Sequence, residues 1–242
     1  MRETVAKHLD HDPEFEWRGQ NVTRIENLSD IVFALALGML LLTGTPPQTF
    51  SELITFLLGI IPVTAGFAIL LLIWNQHFVF FRRYGLADNT VVFLNSALLL
   101  VVLFLAYPLR FIFDSLFGFI LASMTGDFSS LLANEMDYRN SSIGVGIFGG
   151  GYAVLFTIVS LLYSHALKKA DMLGLDEDER ILTKRSIWIQ RSEVVVAMLV
   201  CVCALFTPMG AFAGGIMFLN WPAAVFFRVK FKPTKIGPGS AT

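Results

Sequence analysis

The sequence predicts an all-α integral membrane protein with six transmembrane helices. Three observations carry that prediction. The chain is 55% hydrophobic, with 23 phenylalanines, and its mean hydropathy is +0.66. Charged residues make up 15% of it, against about 25% in soluble domains. The apolar residues fall into six runs near the length of roughly 20 that a helix needs to cross a bilayer. The runs are 24–43, 53–81, 89–112, 143–166, 187–207 and 210–227.

The first run begins with Arg24, Ser29 and Asp30 and then continues without a charge. A carboxylate at the mouth of a membrane helix is costly unless paired or wet, which marks it as functional. Further on, Leu35, Met39 and Leu42 stand at i, i+4 and i+7 and draw one narrow stripe down a helix face. Arg82-Arg83-Tyr84-Gly85 divides the second run from the third. The stretch 111–124 is apolar but broken by Asp114 and Gly118. It reads as an extension of the third helix or as an interfacial helix. In the fourth run Gly146 and Gly150, like Gly210 and Gly214 later, are spaced for close helix contacts. Asp171–Arg191 reads as a charged linker holding a short helix around Asp176–Arg180, a solvated face. Thr207-Pro208-Met209 makes a tight re-entry between the fifth and sixth runs. Residues 1–20 and 232–242 read as solvated tails flanking a transmembrane domain over 21–231.

Lysine and arginine orient the chain. With six spans both termini share a side, and that side carries sixteen of the 18 cations. The other side has only Arg110 and Arg139. The positive-inside rule makes both termini cytoplasmic in a multi-pass cell-membrane protein. A missed helix would scramble this asymmetry.

Other chemistries find little support. The net charge of -1 and the lack of a basic tract give no nucleic-acid footprint. The polar first 23 residues show no cleavable signal. Cys201 and Cys203 point about 200° apart on a helix, which disfavours a disulfide or a two-cysteine metal site. Gly149-Gly150-Gly151-Tyr152 lacks the pattern of a carbonyl-lined ion filter. No nucleophile triad, zinc-binding helix or phosphate loop appears, so neither a cofactor nor a resident metal is expected.

What remains is a small polar set in an apolar chain. Arg24, Ser29 and Asp30 open the first helix, Trp74 and His77 lie late in the second, and Asn95 lies early in the third. In antiparallel spans all fall toward the cytoplasmic end. They would form a network, with Arg24 paired to Asp30 and hydrogen bonds among Ser29, His77 and Asn95, that fixes helix register. Alternatively, Arg24 and Asp30 only flank the membrane and His77 caps a helix end.

The pattern Arg24-x-x-x-Leu28-Ser29-Asp30 before an apolar helix resembles the Arg-x-x-x-Phe-Ser-Asp signature of the transmembrane protein 175 family of potassium-permeable channels. Trp74-x-x-His77 resembles a second-helix pattern of that family, and Leu94-Asn95 with Pro108 its third helix. Leu28 departs from the usual phenylalanine, which removes an aromatic contact but no polar partner. The resemblance covers most of residues 21–227; beyond the third helix it is mainly one of topology.

The resemblance implies a homotetramer of single-repeat subunits in which four copies of the first helix line a central pore. It places stacked apolar rings at Leu35, Met39 and Leu42, the stripe already found from periodicity. The neighbouring stripes, including Ala34 and Leu41, are then expected to pack against other helices. Without the resemblance, ordinary helix packing would be the reading of that stripe. A ring of apolar side chains resists bare ions and gates by dewetting. Large, weakly hydrated cations shed water most cheaply, so potassium, rubidium and caesium are favoured over sodium, with modest selectivity. Gly38 stands where many relatives carry threonine, and a lost hydroxyl would lower selectivity further. The expected partners are these ions, membrane lipid and further copies of the chain. A proton- or cation-coupled secondary transporter is the main rival and would place ionisable groups near the bilayer midplane. An intramembrane enzyme would need paired carboxylates or a Ser-His pair at one depth, and only Asp30 and His77 come close.

Overall fold

The structure is a computed structural model that describes residues 15–19, 21–41, 46–129 and 137–233. The described residues are helical almost throughout: α1 (Arg24–Leu41), α2 (Phe50–Leu58), α3 (Ile60–Tyr84), α4 (Asn89–Thr125), α5 (Tyr138–Lys168), α6 (Glu177–Phe206), a 3-10 segment (Gly210–Leu219) and α7 (Asn220–Lys230). Five segments among them are long and apolar enough to cross a membrane: Phe50–Tyr84, Asn89–Thr125, Tyr138–Lys168, Glu177–Phe206 and Gly210–Lys230. Helix α1 carries Arg24, Glu26 and Asp30 in its first two turns and is not among the five.

Two groups of helices share the core. In the first, α1, α3 and α4 pack on one another; in the second, α5, α6 and the 3-10 segment do so, and α4 against α5 joins the groups. Small residues bring α5 and α6 close. A methyl built on Gly146 would stand 2.7 Å from Leu205, and one on Gly149 3.0 Å from the Ala197 carbonyl. Backbones meet that closely only where side chains are missing.

Several boundaries differ from the sequence expectation. Helix α4 runs 37 residues through Pro108, about 55 Å at 1.5 Å per residue, against a hydrocarbon core of about 30 Å. The stretch 111–124 is therefore a continuation of the third helix. Helix α6 begins at Glu177, inside the supposed linker, because Asp176 and Glu179 form a reciprocal capping box and nothing after it breaks the helix. The sixth run opens as ten residues of 3-10 helix. At about 2.0 Å per residue, this winding lets a short segment reach further along the membrane normal.

Residues 15–19 are a docked segment rather than a solvated tail. Phe15 is buried, edge-on to Tyr84 with centroids 5.5 Å apart and beneath the Arg83 guanidinium at 4.9 Å. Gly19 exchanges hydrogen bonds with Arg82, its N–H donating to the Arg82 carbonyl at 3.0 Å and its carbonyl accepting from Arg82 Nη1 at 2.8 Å. A side chain at Gly19 would collide with the Phe81 carbonyl. Arg18 completes the dock with a two-pronged bond to Glu179, at 2.9 and 2.6 Å, and a bond to the Leu173 carbonyl at 2.7 Å.

Candidate functional site

Helix α1 starts at a capping box. Thr23 Oγ1 accepts from the Glu26 N–H at 3.3 Å, and Glu26 Oε1 accepts from the Thr23 N–H at 2.9 Å. Each satisfies a backbone donor that the first helical turn leaves open. The Thr23-x-x-Glu26 spacing is the sequence signal for this box.

Past the cap, α1 has two unlike faces. Glu26, Ser29, Phe33, Ala36 and Leu40 are buried, at intervals of three and four that keep them on one side. On the opposite side Ile31 is 67% and Leu35 55% exposed in the single subunit. Gly38 belongs to that side too, and a Cβ added there meets nothing within 4 Å. Met39 lies on the flank, half-buried against the subunit core. Leu42 lies outside the described residues. Ala34 and Leu41 are exposed; within the subunit they do not pack on other helices, because the α3–α4 surface reaches only one face of α1.

The buried face carries a polar relay. Ser29 Oγ donates to the Ile25 carbonyl at 2.8 Å and accepts from Asn95 Nδ2 at 2.9 Å. Asn95 Oδ1 faces His77 Nε2 at 2.8 Å. All three residues are buried, so each bond replaces water that none of them can reach. The relay ties α1 to α3 through α4. On its rim Trp74 Nε1 donates to Asp30 Oδ1 at 2.8 Å.

The expected Arg24–Asp30 pair does not form in the subunit. Arg24 is exposed, and Asp30 takes the Trp74 indole instead. Six residues separate the two by about 9 Å along the axis and about 120° around it, too far for one salt bridge. His77 sits inside the relay rather than capping a helix end.

Three further polar groups make long-range bonds that no local sequence signal announces. Asp88 N-caps α4, accepting the Thr90 and Val91 N–H groups on Oδ1. Its Oδ2 takes His165 Nε2 at 2.8 Å and Lys169 Nζ at 2.7 Å. Burial pushes this carboxyl up, but the bonds from His165, Lys169 and the Val91 N–H outweigh it and hold the group well below the usual carboxylate range. Tyr152 Oη donates to Glu193 at 3.0 Å between α5 and α6. Arg110 reaches across from α4 to the Leu40 carbonyl of α1 at 2.7 Å. Their partners lie 41 to 81 residues away. No group of three or more potential metal ligands occurs among the described residues.

The chain as a whole is similar to known proteins. The model of the endosomal/lysosomal potassium channel TMEM175 family matches residues 24–105. A potassium channel of Marivirga tractuosa is 34% identical, over 97% of this chain and 98% of its own length. This chain belongs to the TMEM175 family. A potassium channel of Chamaesiphon minutus is 23% identical over 64% of this chain and 70% of its own. Among solved structures, a variant of the potassium channel MtTMEM175, in complex with a nanobody–MBP fusion protein, superposes with a TM-score of 0.80. It is 34% identical and covers 91% of this chain and 98% of that chain. The part matched by the TMEM175 family model takes in α1, α3 and the first half of α4, the three helices that carry Ser29, Asp30, Trp74, His77 and Asn95.

Proposed function

We propose that the protein is a potassium-permeable cation channel: a homotetramer of six-span subunits with α1 lining a central pathway and both termini in the cytoplasm. Residues 21–231 form the channel domain, and 1–20 and 232–242 are its cytoplasmic flanks. One observation carries the pore reading. Helix α1 buries one face in its own subunit and turns the face through Ile31, Leu35 and Gly38 outward. Four such faces around an axis enclose an apolar pathway. The curated relatives and the solved relative, all named potassium channels, support the ion.

Leu35 then forms the central ring, with Met39 and Leu42 beyond it and Ile31 on the side of Asp30. A ring of this kind discriminates by the cost of partial dehydration. Potassium, rubidium and caesium pass more easily than sodium, and the preference is modest because no fixed oxygen cage replaces the lost water. Gly38 adds no hydroxyl to the wall. A coupled transporter is less well supported, because α1 carries no ionisable residue between Asp30 and Leu41.

Reversal potentials of the purified protein in planar bilayers, under opposed potassium and sodium gradients, test the proposal. Voltage-driven unitary currents reversing on the potassium side are expected. Saturable exchange without unitary currents would instead identify a transporter.

A further inference from the structure

Arg110 is one of the two cations on the sparsely charged side of the chain, and the pore reading makes no use of it. It sits on α4, two residues past Pro108. Its Nη1 donates to the Leu40 carbonyl at 2.7 Å, and its Nε donates to Asp114 Oδ2 at 2.6 Å. One rigid guanidinium thus binds two acceptors at once, which its planar fork allows and a lysine does not reproduce. A cation is also favoured at the C-terminal end of a helix, where the dipole is negative.

Leu40 is held twice. Its side chain is fully buried, and a methyl on Gly66 would touch it at 3.5 Å and Leu109 at 3.6 Å. The Leu40 side chain therefore fills the space between α3 and α4, while Arg110 grips its carbonyl. Elsewhere in this last turn α1 has little support: Leu41 is exposed and Met39 only half-buried.

We propose that Arg110, aimed by Asp114, is a positioning residue that braces the C-terminal end of α1 and thereby sets the width of the ion pathway at Met39. The proposal rests on the pore reading of α1. Met39 adjoins Leu40, so a tilt of this end moves Met39 relative to the axis. With opposed helices across the axis, a radial shift of each helix changes the opening by twice that shift. Asp114 lies one turn on along α4, at i+4, where opposite charges meet on a helix face. It fixes the fork that would otherwise swing free.

The test uses the full chain in proteoliposomes with Arg110→Gln, Arg110→Lys and Asp114→Asn, and two readouts. The first is hydrogen exchange of the amides from Leu37 to Leu41. Arg110→Gln should speed it by about tenfold, the loss of one charge-assisted bond, and leave the amides around Ser29 unchanged. The second is the potassium-over-sodium reversal potential, which should move toward zero in Arg110→Gln and return only part of the way in Arg110→Lys, whose ammonium lacks the fork that holds both acceptors. Asp114→Asn keeps the bond to Leu40 and should give about a twofold effect on exchange. If Arg110→Gln does not fold, Asp114→Asn carries both readouts. Unchanged exchange overturns the brace. Faster exchange with an unmoved reversal potential overturns its role in the pathway. A wild-type protein without potassium current strikes the pore reading and the claim about pathway width that rests on it, whereas the exchange result still decides the brace.

Discussion

Asn95 is the residue on which the polar relay turns. The Ser29 hydroxyl spends its proton on the Ile25 carbonyl, so it must accept from the Asn95 amide nitrogen. That leaves the Asn95 oxygen toward His77, and His77 must carry its proton on Nε2. Asn95→Ala strands two buried groups and should cost about 1–3 kcal/mol. Arg24→Ala removes an exposed side chain without a partner among the described residues and should stay within about 0.5 kcal/mol. Thermal unfolding of both variants in detergent checks this. A harmless Asn95→Ala beside a costly Arg24→Ala would move the anchor of α1 to a contact between subunits. Asp88 lies outside the spans, and its charge state bears on stability. Its folded value is depressed, so the stability it adds is present above its unfolded value of about 4. That contribution is lost as pH falls through the folded value. Asp88→Asn keeps a good N-cap and loses only the charge. The stability gap between it and wild type should hold down to about pH 4 and shrink below. A gap independent of pH would mean that the His165 and Lys169 bonds do not depend on the charge.

At the scale of the element, the proposed pathway rests on the unlike faces of α1. Phe33, Ala36 and Leu40 pack inward while Ile31 and Leu35 face out. Leu35→Asn wets the proposed ring and lowers its dehydration barrier. Conductance should rise and the potassium preference should fall, as read from unitary current and reversal potential. A cysteine at Leu35 should be blocked by a small thiol-reactive cation, and one at the buried Ala36 should not. Equal modification at both, or unchanged selectivity in Leu35→Asn, would show that another face lines the pathway. Leu35 was named from helical period and family signature together, and it is exposed in the subunit. The flank position of Met39 was not readable, because period alone does not say how far round the helix its neighbours reach. The 3-10 winding of Gly210–Leu219 was likewise hidden, since its composition suits an α-helix as well.

For the whole molecule, the proposed pathway requires partners for the exposed face of α1. Ile31 and Leu35 on a solitary subunit would meet lipid on one side only, and no axial pathway would exist. Native mass measurement should therefore find four copies as the conducting species. A monomer or dimer as the sole conducting form would end the pore model. The docked segment at residues 15–19 ties the approach to α1 onto α3 and α6 through Phe15, Arg18 and Gly19. Its partners are distant in the chain, Glu179 lying 161 residues from Arg18, so nothing local in the sequence announced it.

By itself the sequence determined the all-helical membrane class, five of the apolar spans and the family, and it named the candidates for the relay. These follow from composition, helical period and a short signature, which are local properties. Only the tertiary structure decided who bonds to whom. It took Asp30 from Arg24 and gave it to Trp74, because helix geometry separates the two charges while α3 brings the indole alongside. It joined α6 to its supposed linker and set Arg110 against the Leu40 carbonyl. Those choices depend on which helix faces meet, and a linear pattern of apolar residues constrains the face of each helix but not its neighbour.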